Sequence, residues 1–168
     1  MRIAEKLLPE FDREFANTRK FLALVPDDRP TWKPHAKSME LGRLAWHVSD
    51  FPGFALSVAS KPLLSFSLED MPKRRRAWVG KTRAAILERF DTDLTQAREA
   101  LPAVPDAAWD DRWQLEFGGQ VVVDDARSAV YRMVVMSHMI HHRAQLGLYL
   151  RLNDIPIPGV YGPSADEM

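Results

Sequence analysis

The sequence of residues 137–146 is SHMIHHRAQL, and it lies in the most informative segment of this 168-residue chain. Around it, apolar and imidazole side chains recur at steps of four and three residues, the spacing of one helix face. That stripe comprises Tyr131, Val135, His138, His142, Leu146 and Tyr149. The acidic pair Asp124 and Asp125 suits a helix N-terminus. We therefore predict a long helix from this pair to about Leu152, with two imidazoles on its buried face.

Three further segments show the same helical period. The first ends at Pro26 and the third at Pro102, while the second begins with Ser38 as N-cap. We expect the second helix to kink or restart near Pro52, because proline lacks the N–H that would bond to the preceding turn. The stripes are Ile3, Leu7, Phe11, Phe15, Thr18, Leu22 and Val25; Leu44, His47, Val48, Phe51, Ala55 and Val58; and Val79, Arg83, Ile86, Phe90, Leu94, Ala97 and Leu101. Four such helices predict an all-α four-helix bundle, a single domain over residues 1–168.

Two longer connections and a tail separate or follow these helices. Residues 60–77 contain the basic run KRRR at 73–76, which we interpret as a solvated loop, with an anion-binding patch as the alternative. Residues 102–123 contain WQLEF, a Gly-Gly turn and a β-branched run, a pattern that predicts a small β-hairpin before the last helix. The Pro- and Gly-rich tail is expected to lie across the bundle surface.

Composition excludes several classes of function. Lysine plus arginine and aspartate plus glutamate number 23 each, so the formal net charge is zero, which argues against nucleic acid as a partner. The sequence has neither an apolar signal-peptide core nor a membrane-length apolar run, so we predict a cytoplasmic protein without membrane contact. The chain has no cysteine and five histidines. A metal site must therefore use histidine, carboxylate and water, and any thiol chemistry must take its sulfur from another molecule.

His138 and His142 are the strongest candidates for metal ligands. A step of four residues places both imidazoles on one helix face, at a separation that suits two ligands of one ion. His47 adds a third imidazole on the buried stripe of the second helix. Taken alone, His47 could be a core histidine bonded to a backbone carbonyl. Together, the three form a set that would leave one or more positions of a metal open.

The neighbours of these histidines admit several roles. His141 lies on the next stripe, so a ligand pair of His138 and His141 is also sterically feasible. Asp50 could orient an imidazole, ligate directly, or pair with an arginine. Asp50, His141 and Gln145 are candidates for hydrogen bonds that support the ligands. His35, in the loop before the second helix, is expected at the surface or the rim of the site.

The motifs WHVSD at residues 46–50 and SHMIHHRAQL at residues 137–146 together resemble the DinB-like family of damage-inducible four-helix metalloproteins. The resemblance extends over most of the chain, because the helix order and the positions of both motifs fit. It implies an up-up-down-down bundle, frequent homodimerisation, and a divalent metal, usually zinc or nickel, on His47, His138 and His142. Two adjacent apolar stripes on the last helix also favour a homodimer. Activities assigned within the family include thiol transfer and maleylpyruvate isomerisation.

Three hypotheses of function follow. The leading one is a metal-dependent enzyme that transfers a low-molecular-weight thiol to an electrophilic small molecule. The run at 73–76, Arg43 or Arg143 would hold the carboxylates of that thiol. The second is a metal-binding or stress-response protein without turnover, favoured if Asp50 or a tail residue closes the coordination sphere. In the third, the histidines form a hydrogen-bonded polar layer that sets the register of the bundle.

Overall fold

The computed structural model describes residues 2–168, which form a helical bundle carrying a small sheet. The first helix, α1, spans Ile3–Leu22. Its predicted stripe is confirmed, since Phe11, Phe15 and Leu22 are fully buried. The helix ends before Pro26, and Val25 joins the core from the loop that follows.

The second helical segment is interrupted as predicted. Helix α2 spans Leu41–Val48 and helix α3 spans Phe51–Ser60. Pro52 lies in the first turn of α3, where a backbone N–H would have no partner within the helix, so proline costs no hydrogen bond there. The predicted N-cap at Ser38 is wrong. The first N–H groups of α2 instead donate to carbonyls of the preceding loop, from Leu41 to Trp32 at 2.8 Å and from the next residue to Pro30 at 2.9 Å. These bonds replace a capping side chain.

The connection over residues 60–77 is more ordered than the solvated loop we expected. It contains strand β1 at Leu63–Phe66 and a short helix, α4, at Met71–Arg75. The side chains of the basic run remain exposed. The loop prediction is wrong for the backbone because β1 is stabilised by a strand far along the chain.

The third long helix, α5, spans Arg83–Ala100 and continues into short 3₁₀ turns at Leu101–Ala103 and Asp106–Trp109. Thr82 caps it by accepting a hydrogen bond from the N–H of Ala85 at 3.3 Å. The predicted stripe begins too early, since Val79 is 54% exposed and precedes the helix. Gly80, with φ at +74°, has a left-handed backbone conformation, which separates Val79 from the helix.

The predicted hairpin is confirmed and extended by a third strand. Strands β2 (Arg112–Phe117) and β3 (Gln120–Ala126) are antiparallel, and β1 pairs in parallel with β2. Gly118 and Gly119 form the turn with φ of +57° and +77°, which two-residue hairpin turns of this hand require. The sheet order is β1-β2-β3.

The last helix begins later than predicted and contains a π-helical stretch. It comprises α6 (Arg127–Val130), π-helical residues Tyr131–Ser137, and α7 (His138–Arg151). Asp124 and Asp125 lie in β3 rather than at a helix N-terminus, so that prediction is wrong. Their backbones pair with β2 across the hairpin, and this pairing overrides their local preference for a helix start.

Side-chain contacts give the relative directions of the long helices. The pairs are Arg19–Asp91 and Asp12–Arg98 between α1 and α5, Glu10–Arg132 and Thr18–Met139 between α1 and the last helix, and Phe51–His138 and Val58–Arg127 between α3 and the last helix. Taken in chain order, with α2 and α3 as one leg, the helices therefore run up, down, down and up. The predicted bundle is confirmed. The resemblance implied the order up, up, down, down. The observed order is the same cyclic arrangement counted from a different helix, so the implied order is corrected.

The core lies between the long helices and includes residues from all four predicted stripes. Leu44, Val48, Phe90 and Val135 are fully buried in one hydrophobic cluster. Within residues 2–168, none of the helices combines the length and the apolar character that a membrane span would need.

Candidate metal centre and adjoining cavity

The structure brings together the three histidines that the sequence singled out. His47 lies in the last turn of α2, His138 is the first residue of α7, and His142 follows one turn later. Each offers one ring nitrogen, and these three atoms all lie within 4.8 Å of one another. The Nε2 atoms of His138 and His142 are 2.9 Å apart. We call this group the three-histidine cluster.

Two irregularities of the helices position the cluster. The second helical segment is interrupted after Val48, shortly after His47, and α3 begins at Phe51. On the facing helix, the π-helical residues Tyr131–Ser137 end where His138 begins. A π-helical turn changes the rotation of the side chains that follow it, and such turns often accompany functional sites. No local signal in the sequence predicted this turn.

A hydrogen bond orients one ring of the cluster. The Nδ1 of His142 lies 2.7 Å from Oε1 of Gln145. An amide oxygen only accepts, so Nδ1 carries the proton and Nε2 presents its lone pair to the other imidazoles. Gln145 thus occupies the supporting position that we considered for it.

The surroundings favour uncharged imidazoles. Burial lowers the pKa of His142 to about 4, and repulsion from His47 and His138 adds to this, against the opposing hydrogen bond to Gln145. Burial also lowers the pKa of His138. Phe51 packs against the cluster, with ring centroids 5.2 Å from His47 and 5.0 Å from His138. Neutral rings with free lone pairs are the form in which histidine binds metals.

The carboxylate nearest to the cluster is engaged elsewhere. Asp50 forms a short ion pair with Arg89 of α5, and its other oxygen lies 3.9 Å from Nδ1 of His47. Of the three roles considered, pairing with an arginine is the one that the structure forms. Asp50 is not among the three converging ligand groups.

The two remaining histidines lie outside the cluster. His141 is exposed on α7, with its ring centroid 4.9 Å from that of His142. The alternative pairing of His138 with His141 is therefore not formed. His35 is exposed, and its Nδ1 accepts a hydrogen bond from the N–H of Lys37 at 3.2 Å.

A cavity of about 360 Å³ adjoins the cluster at His47. Small-ligand sites span roughly 300–1,000 Å³, so this cavity can hold a small organic molecule. Its aromatic walls are Trp46, Phe54, Phe66, Trp78 and Phe117. Sequence reasoning missed all five residues. Phe66 and Phe117 meet only because β1 pairs with β2, where their rings stack with centroids 5.0 Å apart.

Arginines also line the cavity, and they include only some of those we predicted. Arg43, Arg74 and Arg75 lie at the cavity together with Arg89. Arg143 does not. It is buried against Glu14 at 2.9 Å, so its expected role in holding a substrate carboxylate is wrong.

Fold and cluster together define a helical-bundle protein with three converging histidines on two facing helices. The model of the DinB superfamily matches residues 10–146, and the chain therefore belongs to this superfamily. The family assignment made from the two motifs is confirmed.

Two kinds of relative agree with this assignment. The chain is 25% identical to the uncharacterized protein YrdA of Bacillus subtilis (strain 168), over 97% of this chain and 90% of that protein. The crystal structure of a DinB-like protein from Bacillus cereus ATCC 10987 superposes with a TM-score of 0.69 at 23% identity, over 94% of this chain and 97% of the other. The DinB-like protein YjoA from Bacillus subtilis gives a TM-score of 0.68 at 15% identity, over 92% and 96% of the two chains.

Proposed function

We propose that this protein binds a divalent metal, zinc or nickel, at His47, His138 and His142 and uses it to transfer a low-molecular-weight thiol to an electrophilic small molecule. The observation that carries the proposal is the convergence of the three ring nitrogens within 4.8 Å. An electrophile would enter the cavity at His47. Membership of the DinB superfamily supports the metal site and leaves the reaction to be tested.

The cluster fits a metal in its chemistry as well as its spacing. Two of its imidazoles are held neutral by burial, and Gln145 turns the Nε2 lone pair of His142 toward its partners. If the rings served only as a polar layer, the Nε2 atoms of His138 and His142 would have to form a hydrogen bond, in which one of them donates to the other. Imidazole suits both zinc and nickel.

Each part of the chain then has a task in the proposed reaction. Bound by neutral imidazoles, a divalent cation would lower the pKa of a thiol and so favour its nucleophilic form. Because the chain has no cysteine, the sulfur must come from another molecule. Gln145 orients a ligand, Phe51 covers one side of the cluster, and the cavity receives the electrophile. There a carbon–sulfur bond would form while the bond from that carbon to a leaving group such as halide breaks, and the thiol proton would pass to solvent.

The alternative is metal binding without turnover. Asp50 as a fourth metal ligand would favour this alternative. The pairing of Asp50 with Arg89 argues against that arrangement. The expected homodimer and the cytoplasmic location remain predictions.

Metal analysis tests the site. We expect untagged protein to carry a single ion per chain, and the variants His47→Ala and His142→Ala to lose it, because two imidazoles bind far more weakly than three. His141→Ala is the matched control, since this residue is adjacent in sequence yet outside the cluster. Wild-type stoichiometry in His47→Ala and His142→Ala would contradict the site and favour the polar-layer hypothesis.

Turnover is tested separately. Metal-loaded protein is mixed with a panel of low-molecular-weight thiols and a haloarene, and the loss of free thiol is followed. We expect a thiol-dependent rate above that of the metal-free protein. No such rate with any thiol, despite a full metal site, would support the alternative without turnover.

Gln145 supplies a further prediction about metal affinity. Gln145→Leu removes the acceptor for His142 Nδ1, and loss of such a supporting bond costs about 10–100-fold in metal affinity. Competition with a chromogenic chelator measures the change. Gln145→Glu keeps an acceptor oxygen and should retain most of the affinity. Equal affinities in wild type and Gln145→Leu would show that the hydrogen bond does not support the ligand.

A further inference from the structure

We propose that the cavity beside His47 binds a planar aromatic carboxylate, with its ring against the aromatic walls and its carboxylate on Arg43, Arg74 and Arg75. The inference deepens the proposed function by naming the class of molecule that enters the site. The reaction of that molecule rests on the proposed function, whereas its binding does not.

The shape and lining of the cavity favour a flat apolar body. At about 360 Å³ it is near the lower end of the range for small-ligand sites, which excludes most larger cofactors. Trp46, Trp78, Phe66 and Phe117 line it, and the rings of Phe66 and Phe117 stack on each other. Aromatic rings pack favourably against such surfaces in offset or edge-to-face contact.

The charges at the cavity favour an anion. The cavity is lined by four arginines and one carboxylate, although the chain as a whole has no net charge. That carboxylate, Asp50, is already paired with Arg89. The guanidinium groups of Arg43, Arg74 and Arg75 make neither a hydrogen bond nor an ion pair with any residue in the range 2–168.

Most arginines elsewhere on the surface differ in this respect. Many of them face a carboxylate of the same chain. The pairs are Arg19–Asp91, Arg98–Asp12, Arg112–Asp124, Arg132–Glu10 and Arg151–Asp166. The three cavity arginines have no such partner, so their donors remain available for an anion from outside. Guanidinium binds carboxylate strongly because its two N–H groups match the two oxygens.

Local packing holds part of this charge at the cavity before any ligand arrives. The guanidinium of Arg74 lies over the ring of Phe66, 4.3 Å from its centroid. Arg89 lies likewise over Trp46 at 4.2 Å. Stacked arginines of this kind lose less side-chain freedom on binding than free ones. Since His47 lines the same cavity, a ligand held here lies beside the three-histidine cluster.

Calorimetric titration of the full-length, metal-free protein with 2-naphthoate tests the proposal. The neutral 2-naphthamide and the non-aromatic cyclohexanecarboxylate are the comparison ligands. We expect 2-naphthoate to bind at least about tenfold more tightly than either, since it alone uses both the ring surfaces and the charged hydrogen bonds. Equal affinity for naphthoate and naphthamide would reduce the cavity to an apolar site and overturn the proposal.

Substitutions locate the anion. Arg43→Gln and Arg74→Gln should each weaken naphthoate binding by about tenfold, because each removes charge-assisted hydrogen bonds. Arg76→Gln is the matched control: it removes the same charge from the same basic run at a residue that does not line the cavity. Equal losses in Arg74→Gln and Arg76→Gln would show only diffuse attraction and would overturn the assignment. All three positions are partly or fully exposed, and circular dichroism confirms the fold of each variant.

The outcome is separable from that of the proposed function. Naphthoate binding to the His142→Ala variant should persist, because His142 does not line the cavity. Binding without any metal or turnover would uphold this inference while the proposed function fails. A metal site and thiol transfer without naphthoate binding would overturn this inference alone.

Discussion

Replacing Arg143 by alanine is expected to lower the free energy of unfolding by about 3–5 kcal/mol, the cost of removing one partner of a buried ion pair. Arg143 and Glu14 are 3% and 2% exposed, and Arg143 Nη2 lies 2.9 Å from a carboxylate oxygen of Glu14. Arg143 also donates to the backbone carbonyl of Glu14 at 3.0 Å and to the hydroxyl of Tyr161 at 2.7 Å. Its loss leaves the buried Glu14 carboxylate with the exposed Arg13 but without a buried cation.

Urea unfolding followed by circular dichroism measures the change. Arg13→Ala is the control, since Arg13 also pairs with Glu14, at 3.3 Å, but its side chain is 62% exposed. Exposed pairs contribute about 0–1 kcal/mol, so this variant should be near wild type. Equal losses in the two variants would mean that Arg143 is not a structural cation of the core.

Acid stability reports on the same pair. Burial by itself would raise the pKa of the Glu14 carboxyl, but hydrogen bonds from Tyr161 and Arg143 and the charge of Arg143 lower it below its ordinary value of 4.5. A carboxyl with a lowered pKa in the folded state stabilises the fold above its unfolded pKa, and this contribution is lost as the pH falls. We expect wild-type stability to decline below about pH 4.5 and Arg143→Ala to show less of this decline.

Adding zinc or nickel to the metal-free protein is expected to stabilise the fold, if the metal binds the folded state alone. A ligand at about 1,000 times its dissociation constant contributes about 4 kcal/mol. For a chain of this size, about 2–4 °C of melting temperature corresponds to each kcal/mol, so a thermal scan would resolve the shift. The cause is mass action: the three imidazoles converge only in the folded protein.

Histidine variants separate this effect from unspecific metal binding. His142→Ala should melt at the same temperature with and without metal, while His141→Ala should keep the full metal-dependent shift. Equal shifts in both variants would place the metal outside the three-histidine cluster. The same result would remove the main support for the proposed thiol transfer.

The helices of the bundle were predictable because burial on one side of a helix imposes a period that local sequence carries. Phe11, Phe15, Phe90 and Val135 were assigned to buried stripes and lie in the core. Helix ends were less predictable. Asp124 has the character of a helix start yet lies in a strand, because pairing with β2 outweighs a local preference.

Long-range contacts account for the rest of what sequence reasoning missed. Strand β1 pairs with β2, from Leu63 with Gln114 to Phe66 with Phe117, and no local pattern announces a parallel partner so far along the chain. This pairing builds a wall of the cavity. Arg143 was expected to hold a substrate, but only the packed bundle shows that Glu14 lies opposite it.

Helix geometry alone places His138 and His142 on one face, so this part of the site follows from residue spacing. The absence of cysteine likewise determined where any reactive sulfur must originate. Only the packed bundle shows that His47 completes the cluster, that Asp50 pairs with Arg89, and that an arginine-lined cavity adjoins the cluster. These features depend on where separate helices and strands meet, and local periodicity contains no information about such crossings.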